Sequence, residues 1–238
     1  MVCSFEDSDK IKEWVELCRL MKEMHPVVRF CFKPTELFIQ LKHPSNKTIL
    51  EITLPSTWFS FYDWTDTDID LSTDTLFTIF SNYHGSKNIT LESEKKYLVI
   101  KCFHEKYHKH YSIPLIYSPY KSIMIHFDIG VDIEMETTPF FTLCKELHRF
   151  DDEIFFRVKP EYFHMITQDN EKMVVELQSD MFERKVDGSY DNRFYLPYLL
   201  TFLKCAIYPK IRVQLGNVLC LYIEKEYTLR YYVCPIKS

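Results

Sequence analysis

The densest group of side chains that could bind a metal ion comprises His104, His108 and His110, with Glu105 beside the first of them. Imidazole and carboxylate groups are common zinc ligands, and closed zinc sites place them at recognisable spacings. The spacing here fits no such pattern, and Cys102 is the one cysteine close by in the sequence. We therefore interpret the group as part of a surface strand and hairpin.

A run of four aspartates could suggest a cation site, because carboxylates are preferred ligands of calcium. The run comprises Asp63, Asp66, Asp68 and Asp70. It lacks the glycine and the terminal glutamate of a calcium-binding loop. We predict a solvated loop at these residues.

Motifs of known catalytic chemistry are absent from the sequence. It has no G-x-S-x-G elbow, no Walker-type phosphate loop and no kinase signature, and only 4 Gly from which such loops could be built. The 8 Cys are spread along the chain without a C-x-x-C pair, which is typical of buried free thiols in a reducing compartment. We expect no catalytic residue, no metal and no cofactor, and hence a protein that is not an enzyme.

Composition and charge restrict the class of protein. With 238 residues, 46% of them hydrophobic and 16% aromatic, the chain can bury a substantial core. No apolar run approaches the roughly 20 residues of a membrane-spanning helix, so we expect a soluble protein without membrane contact. The formal net charge of -5 at pH 7 disfavours a typical nucleic-acid binder, whose positive charge covers a whole face. If the chain acts on DNA, its basic groups must be concentrated.

The elements that must position these side chains are short strands and four helices. From Val27 onward, apolar and polar residues alternate in short runs, with the period of two that is typical of antiparallel strands. Elsewhere apolar residues recur with helical spacing and follow residues suited to capping a helix. The predicted helices cover residues 9–23, 73–83, 138–150 and 197–207.

The order of elements in the first half of the chain repeats in the second half. Aligning LFTIF with LLTFL pairs Thr78 with Thr201, an offset of 201 - 78 = 123. Leu91 and Leu215 give a second, agreeing offset of 215 - 91 = 124. The repeat predicts an α+β fold of two similar domains, each with two helices on an antiparallel sheet. The predicted domains cover residues 1–116 and 131–238, joined by a connector loop at residues 117–130.

Three short motifs resemble those of a known protein family. They are LRYYVCP at residues 229–235, LCKELHR at 143–149 and FLKC at 202–205. Together they resemble the proliferating cell nuclear antigen (PCNA) family of DNA sliding clamps, and the match runs over nearly the whole chain. The resemblance implies the DNA clamp fold, with subunits that close head-to-tail into a ring around duplex DNA, usually as a trimer. An acidic outer surface can then coexist with a basic lining.

The resemblance implies that basic side chains on the helices face the DNA. Such side chains contact phosphates without binding to particular bases, so the ring can slide. The second helix departs from this pattern because it contains no Lys or Arg, which leaves an asymmetric or heteromeric ring open. For each candidate the alternative is an ordinary solvated helix charge. The predicted DNA-binding residues are Lys10, Lys12, Arg19, Lys22, Lys145, Arg149, Lys204 and Lys210.

The resemblance also implies an apolar pocket in which a short helix of a partner protein inserts its anchors. Tyr232, Cys234 and Pro235 match the end of the family's last strand, and the connector supplies Ile123 and Ile125. For Tyr232 the alternative is plain core packing. For the two isoleucines the alternative is burial by the first strand of the second domain. Ring closure should join strand edges, and the resemblance implies that these are the strands at residues 110–116 and 172–178.

The function implied by the resemblance is that of a sliding clamp, or processivity factor. Its partners would be double-stranded DNA of any sequence, a DNA polymerase and other proteins with short PCNA-binding motifs, and a clamp loader. We expect a homotrimer in the nucleus, or at a cytoplasmic replication site if the protein is viral. Three alternatives stay open: a subunit of a heterotrimeric checkpoint clamp, a viral clamp-like transcription factor, and a protein-interaction module that encircles no DNA.

Overall fold

The helices and strands form two units. The computed structural model describes residues 1–82, 86–117, 122–167, 173–186, 188–205 and 208–236. One unit comprises Met1–Pro44, Leu50–Ser122 and Glu224–Leu229, and the other comprises Ser45–Ile49, Ile123–Ile223 and Arg230–Ser238. The predicted limits of the connector stay a prediction, and its residues 118–121 lie outside the described residues. Among the residues described, no helix combines the length and apolar character that crossing a bilayer requires.

The first half of the chain forms two antiparallel sheets and two helices. One sheet has the strand order β5-β1-β7-β8-β9, and in the other β4, β3, β2 and β6 lie side by side in that order. The elements are β1 (Val2–Phe5), α1 (Ser8–Met24), β2 (Val27–Lys33), β3 (Glu36–Lys42), β4 (Thr48–Pro55), β5 (Phe61–Asp63), β6 (Thr67–Ser72), α2 (Thr73–Ser81), β7 (Asn88–Glu94), β8 (Tyr97–Phe103) and β9 (His108–Pro114).

The second half of the chain has the same kinds of element in the same sequence. Strands β14, β10, β16, β17 and β18 lie side by side in that order, and a four-stranded sheet has the order β13-β12-β11-β15. The elements are β10 (Ile129–Glu136), α3 (Thr137–Leu147), β11 (Glu153–Lys159), β12 (Tyr162–Ile166), β13 (Val174–Leu177), β14 (Phe182–Val186), β15 (Tyr190–Tyr195), α4 (Leu196–Cys205), β16 (Lys210–Gly216), β17 (Leu219–Glu224) and β18 (Thr228–Val233).

The two strand orders are the same once each element is matched to its counterpart. Leu91 lies on β7 and Leu215 on β16, and each of these strands is third in its row of five. Thr78 lies on α2 and Thr201 on α4. The predicted repeat is therefore an architectural one, and the α+β class with two helices in each half is confirmed.

Amphipathic sequence explains why the helices lie where they do. Asp7 caps α1 by accepting a hydrogen bond from the backbone of Asp9, and the apolar stripe of the helix is buried. The Trp14 ring on that stripe lies 5.8 Å from Phe30 on β2 and 5.8 Å from Phe80 on α2. Because the apolar faces are covered, the charged faces of the helices remain for other contacts.

Two predictions about polar clusters are wrong in part. Asp63 belongs to β5, and Asp68 and Asp70 to β6, rather than to a solvated loop. Asp70 is also buried against Arg29. The sequence pattern does not reveal this strand, because a strand face that packs inward is expected to be apolar. Here the inward-facing residue is Asp70, which forms an ion pair. His104 lies in the hairpin before β9 but is buried, 3.1 Å from the hydroxyl of Ser86.

Candidate functional site

The basic residues of α1 are bound to acidic neighbours. Lys10 lies 2.9 Å from Glu226 and also donates to the backbone carbonyl of Trp58, so its amine is held in place. Lys22 pairs across to Asp74 on α2 at 3.0 Å. The remaining pairs are Lys12 with Asp9 and Arg19 with Glu16. A phosphate would have to compete with a carboxylate at each of these four positions.

Three basic residues on or near α3 and α4 are in a different state. Lys145 and Lys204 lie on the two helices, whereas Arg149, predicted to lie on the third helix, follows the end of α3. Lys145, Arg149 and Lys204 are exposed, and within the described residues none of them forms an ion pair. The Lys145 amine lies 5.4 Å from the centroid of the Phe141 ring one turn earlier, a contact that supports the cation without neutralising it. These three side chains can accept an anionic ligand without first breaking a salt bridge.

Lys210 lies among carboxylates. Its amine is 2.8 Å from Glu134. That hydrogen bond raises the pKa of Lys210, and the negative charges of Glu134, Glu183 and Glu136 raise it further. A phosphate would have to compete with these carboxylates for the Lys210 amine.

An apolar cluster surrounds the last strand of the second unit. Cys220, Tyr222 and Tyr232 form its buried part, and half-buried apolar side chains pack against them. The Phe127 ring meets Tyr232 edge-on, with 5.8 Å between the ring centroids. The half-buried members are Ile49, Ile125, Phe127 and Val218. A surface of this kind can receive the apolar anchors of a partner helix.

A cavity of about 530 Å³ lies beside the C-terminal residues of the same unit. Its apolar wall is formed by Cys234, Pro235 and Ile236, and the rings of Tyr195 and Tyr198 lie 5.1 Å apart in another part of its lining. Two backbone hydrogen bonds hold the C-terminal wall, from Cys234 to the carbonyl of Lys47 and from Ile236 to that of Arg193. These hydrogen bonds fix the backbone of the C-terminal wall of the cavity.

Both strands predicted to close the ring lie at sheet edges. β9 ends the five-stranded sheet of the first half, and β13 ends the four-stranded sheet of the second. Val174 on β13 leaves 48% of its surface exposed. Edge strands with such side chains can pair with another chain.

Comparison with solved structures identifies the fold. PCNA from Thermococcus kodakaraensis matches with a TM-score of 0.89 at 14% identity, covering 99% of both chains. PCNA from Entamoeba histolytica matches with a TM-score of 0.89 at 13% identity, covering 99% of this chain and 98% of the other. A PCNA2–PCNA3 complex from Sulfolobus tokodaii matches with a TM-score of 0.84 at 16% identity, covering 99% of both.

The chain has the fold of PCNA. This confirms the resemblance predicted from the three motifs and the repeat, at the level of the fold. No protein-family model and no curated protein matches the sequence.

On this PCNA fold, the residues predicted to bind a partner divide between two neighbouring features. Ile125 and Tyr232 meet in the apolar cluster, whereas Cys234 and Pro235 line the cavity. Ile123 is half-buried. The role of all five residues in binding stays a prediction.

Sequence reasoning missed several side chains of these features. Phe127 follows Ile123 and Ile125 at the same two-residue spacing, so an extended segment with one packed face contained the signal. No local pattern marks the other members, because strand order brings them together. They are Ile49, Val218, Cys220, Tyr222, Tyr195 and Tyr198.

Proposed function

We propose that this protein is a DNA sliding clamp, a ring-forming scaffold without catalytic activity of its own. The observation that carries the proposal is the similarity to PCNA over 99% of the chain. A clamp works through the shape of the whole subunit, so agreement over the full length is more informative here than a local motif. The acidic overall charge is compatible with this function because the field at a DNA-facing surface depends on local charges.

Contact with duplex DNA is assigned chiefly to Lys145, Arg149 and Lys204. Their exposure, and their lack of acidic partners within the described residues, leave them able to pair with phosphates. The α1 residues contribute less, because each must exchange a carboxylate for a phosphate. Lys210 also contributes less, because its amine pairs with Glu134 and lies among further carboxylates.

Partner proteins are proposed to dock on the apolar cluster. Phe127 and Ile125 offer an aromatic and aliphatic surface to the anchors of a short helix, and the buried Tyr232 supports it from beneath. The partners are a DNA polymerase and other proteins with short PCNA-binding motifs, with a clamp loader opening the ring. We place these events in the nucleus, or at a cytoplasmic replication site if the protein is viral.

Assembly is proposed to join β9 of one subunit to β13 of the next, as a homotrimer. Both strands lie at sheet edges, and head-to-tail pairing of two different edges closes into a ring when the rotation per subunit allows it. One similar structure is a complex of PCNA2 with PCNA3, so a heteromeric ring is the variant of this proposal to test beside it.

The test measures encirclement directly. A linear duplex is fixed to beads at one end, and the protein is allowed to thread over the free end. Streptavidin then blocks that end through biotin. We expect retention through a high-salt wash, because a ring on blocked DNA is held topologically and salt weakens only the phosphate contacts. Cutting the duplex with a restriction enzyme should release the protein.

A second candidate function is a protein-interaction module that encircles no DNA. The charge of the helices favours this candidate, because they are not strongly basic. Helix α1 contains four basic and four acidic residues, Asp74 is the one charged residue of α2, and Lys145 on α3 is next to Glu146. The clamp would be contradicted, in favour of this candidate, by either of two results. One is equal retention of the protein on blocked and unblocked duplex, and the other is loss of the protein in the high-salt wash.

A further inference from the structure

Two arginines flank Tyr222 on the strand at the centre of the apolar cluster. Arg212 reaches it from β16 and Arg230 from β18, the strands on either side of β17. The guanidinium carbons lie 5.3 Å and 5.2 Å from the centroid of the tyrosine ring. Both distances are within the range of cation–π attraction, so the ring gathers two positive charges at one place.

The charge of Arg212 is already balanced. Its guanidinium donates two hydrogen bonds to Asp132, a carboxylate with no exposed surface. Gln214 donates a third at 2.9 Å. A buried carboxylate bonded in this way fixes the position of Arg212 and cancels its charge.

Within the described residues, no carboxylate balances the charge of Arg230. The residue is exposed, and its guanidinium contacts the Tyr222 ring. The group formed by Asp132, Arg212, Tyr222 and Arg230 therefore has one excess positive charge, located at Arg230. Stacking on the ring restricts the side chain, so less entropy is lost when the guanidinium binds an anion.

This charge adjoins the proposed docking surface. Tyr222 belongs to the same buried cluster as Tyr232 and Cys220, against which Ile125 and Phe127 pack. A partner helix seated on the cluster would bring the residues that flank its anchors to the arginine pair. The Tyr222 ring therefore belongs to the apolar cluster and also contacts the cation of Arg230.

We propose that Arg230 selects partner peptides that have an Asp or Glu beside their apolar anchors. The inference rests on the proposed docking role of the cluster. The carboxylate would receive two parallel hydrogen bonds from the guanidinium, the geometry that arginine provides best. A singly charged carboxylate matches the single excess charge, whereas a phosphate dianion would leave negative charge uncompensated next to Asp132.

The experiment uses a panel of fluorescein-labelled peptides that share the same apolar anchors. Each peptide has one Glu at one flanking position, and its control has Gln there. Dissociation constants are measured by fluorescence polarisation for the wild type, Arg230→Gln and Tyr232→Ala. We expect at least one Glu peptide to bind the wild type about fivefold more tightly than its Gln control, the scale of an exposed ion pair.

Arg230→Gln should abolish that preference and leave the affinity for the Gln peptide unchanged. Arg230→Glu should reverse it, favouring a peptide with Lys at the same position. Equal binding of every Glu and Gln pair by the wild type would overturn the inference and leave the docking surface intact. Binding of no peptide, or unchanged binding by Tyr232→Ala, would overturn both. Duplex affinity lost in Arg230→Gln with no change in peptide binding would assign the cation to DNA instead, which also overturns it.

Discussion

The ion pair of Arg29 and Asp70 shows that the environment of a charged residue can differ from what its place in the sequence suggests. The guanidinium donates two hydrogen bonds of 2.7 Å to the carboxylate, which is 7% exposed. Asp68, two residues earlier, is 4.0 Å from the same arginine and 60% exposed. Two aspartates on one strand therefore have different energetic roles.

Asp70→Asn should destabilise the protein by about 3 kcal/mol, because it leaves Arg29 partly desolvated without its counter-charge. Asp68→Asn, the matched control, should change the free energy of unfolding by less than about 0.5 kcal/mol. Urea denaturation followed by circular dichroism measures both. Equal effects of the two substitutions would mean that the pair is too solvated to matter.

Cys3 should make the stability of the protein depend on pH. Burial raises the pKa of the Cys3 thiol to about 12. The unfolded thiol loses its proton near pH ~8.5. Above that pH the unfolded state binds fewer protons than the folded state, so stability is full below it and falls as pH rises toward the folded pKa.

The slope attributable to this thiol is about 1.4 kcal/mol per pH unit. Cys3→Ala should remove that part of the slope, which is measured by urea denaturation at several mildly alkaline pH values. A variant whose stability falls with pH as steeply as the wild type would show that Cys3 is not the group responsible.

Local sequence patterns predict which of these residues lie on strands and helices. They do not predict which side chains contact each other. Ile125 and Tyr232 were accessible to sequence reasoning because a connector and a terminal motif mark them. Tyr222 was not, since its neighbours Arg212 and Arg230 come from two other strands. By sequence Lys210 is an ordinary helix-flanking lysine, but the register of β10 against β16 places it opposite Glu136 and 2.8 Å from Glu134. Pairing of this kind is a property of strand order.

At the scale of elements, α3 and α4 differ from α1 because their basic residues have no ion pair within the part of the chain that the structure describes. Lys145→Glu combined with Lys204→Glu should slow threading onto linear duplex, because each reversal replaces a phosphate contact by repulsion. Thermal stability should be unchanged, since both side chains are exposed.

The matched control changes the same number of charges elsewhere. Lys95→Glu with Lys96→Glu alters two exposed lysines in the turn between β7 and β8. Threading rates measured on the bead-fixed duplex compare the two variants. Equal slowing by both would show that total charge, and not the α3 and α4 positions, governs the approach to DNA.

Element boundaries were predicted within about three residues because helix periodicity and capping act locally. α1 was expected at 9–23 and spans Ser8–Met24, and α3 was expected at 138–150 and spans Thr137–Leu147. Asp68 and Asp70 were misplaced because the period-two pattern of β6 includes a buried charge. A local pattern cannot distinguish a paired inward aspartate from a solvated one.

The β13 edge offers a prediction about assembly. Val174→Lys should weaken association between subunits, because a lysine on an edge strand opposes pairing with another strand. Phe61→Lys is the control, since Phe61 is 53% exposed on β5, at the opposite edge of the sheet that ends in β9. Light scattering measures the mass of each variant. The assignment of β13 to the interface would be contradicted by equal loss of mass in both.

At the scale of the whole molecule, the duplicated architecture determines what assembly can look like. The two edges assigned to the interface, β9 and β13, belong to non-equivalent positions of the repeat. Contact between two different patches is heterologous, so it propagates head-to-tail and ends only in a closed ring or continues as a filament. Closure therefore has a signature in how mass depends on concentration.

We expect a mass near three times 28.7 kDa that stays constant over a broad range of concentration, because a closed trimer has no free edge at which to add subunits. The mass is measured by light scattering across a dilution series, with Val174→Lys as the variant expected to dissociate first. Mass that grows continuously with concentration would indicate an open filament, in which both edges pair but the rotation does not close. A strict monomer at every concentration would contradict self-assembly through β9 and β13, and it would direct the search toward a second chain that completes a heteromeric ring.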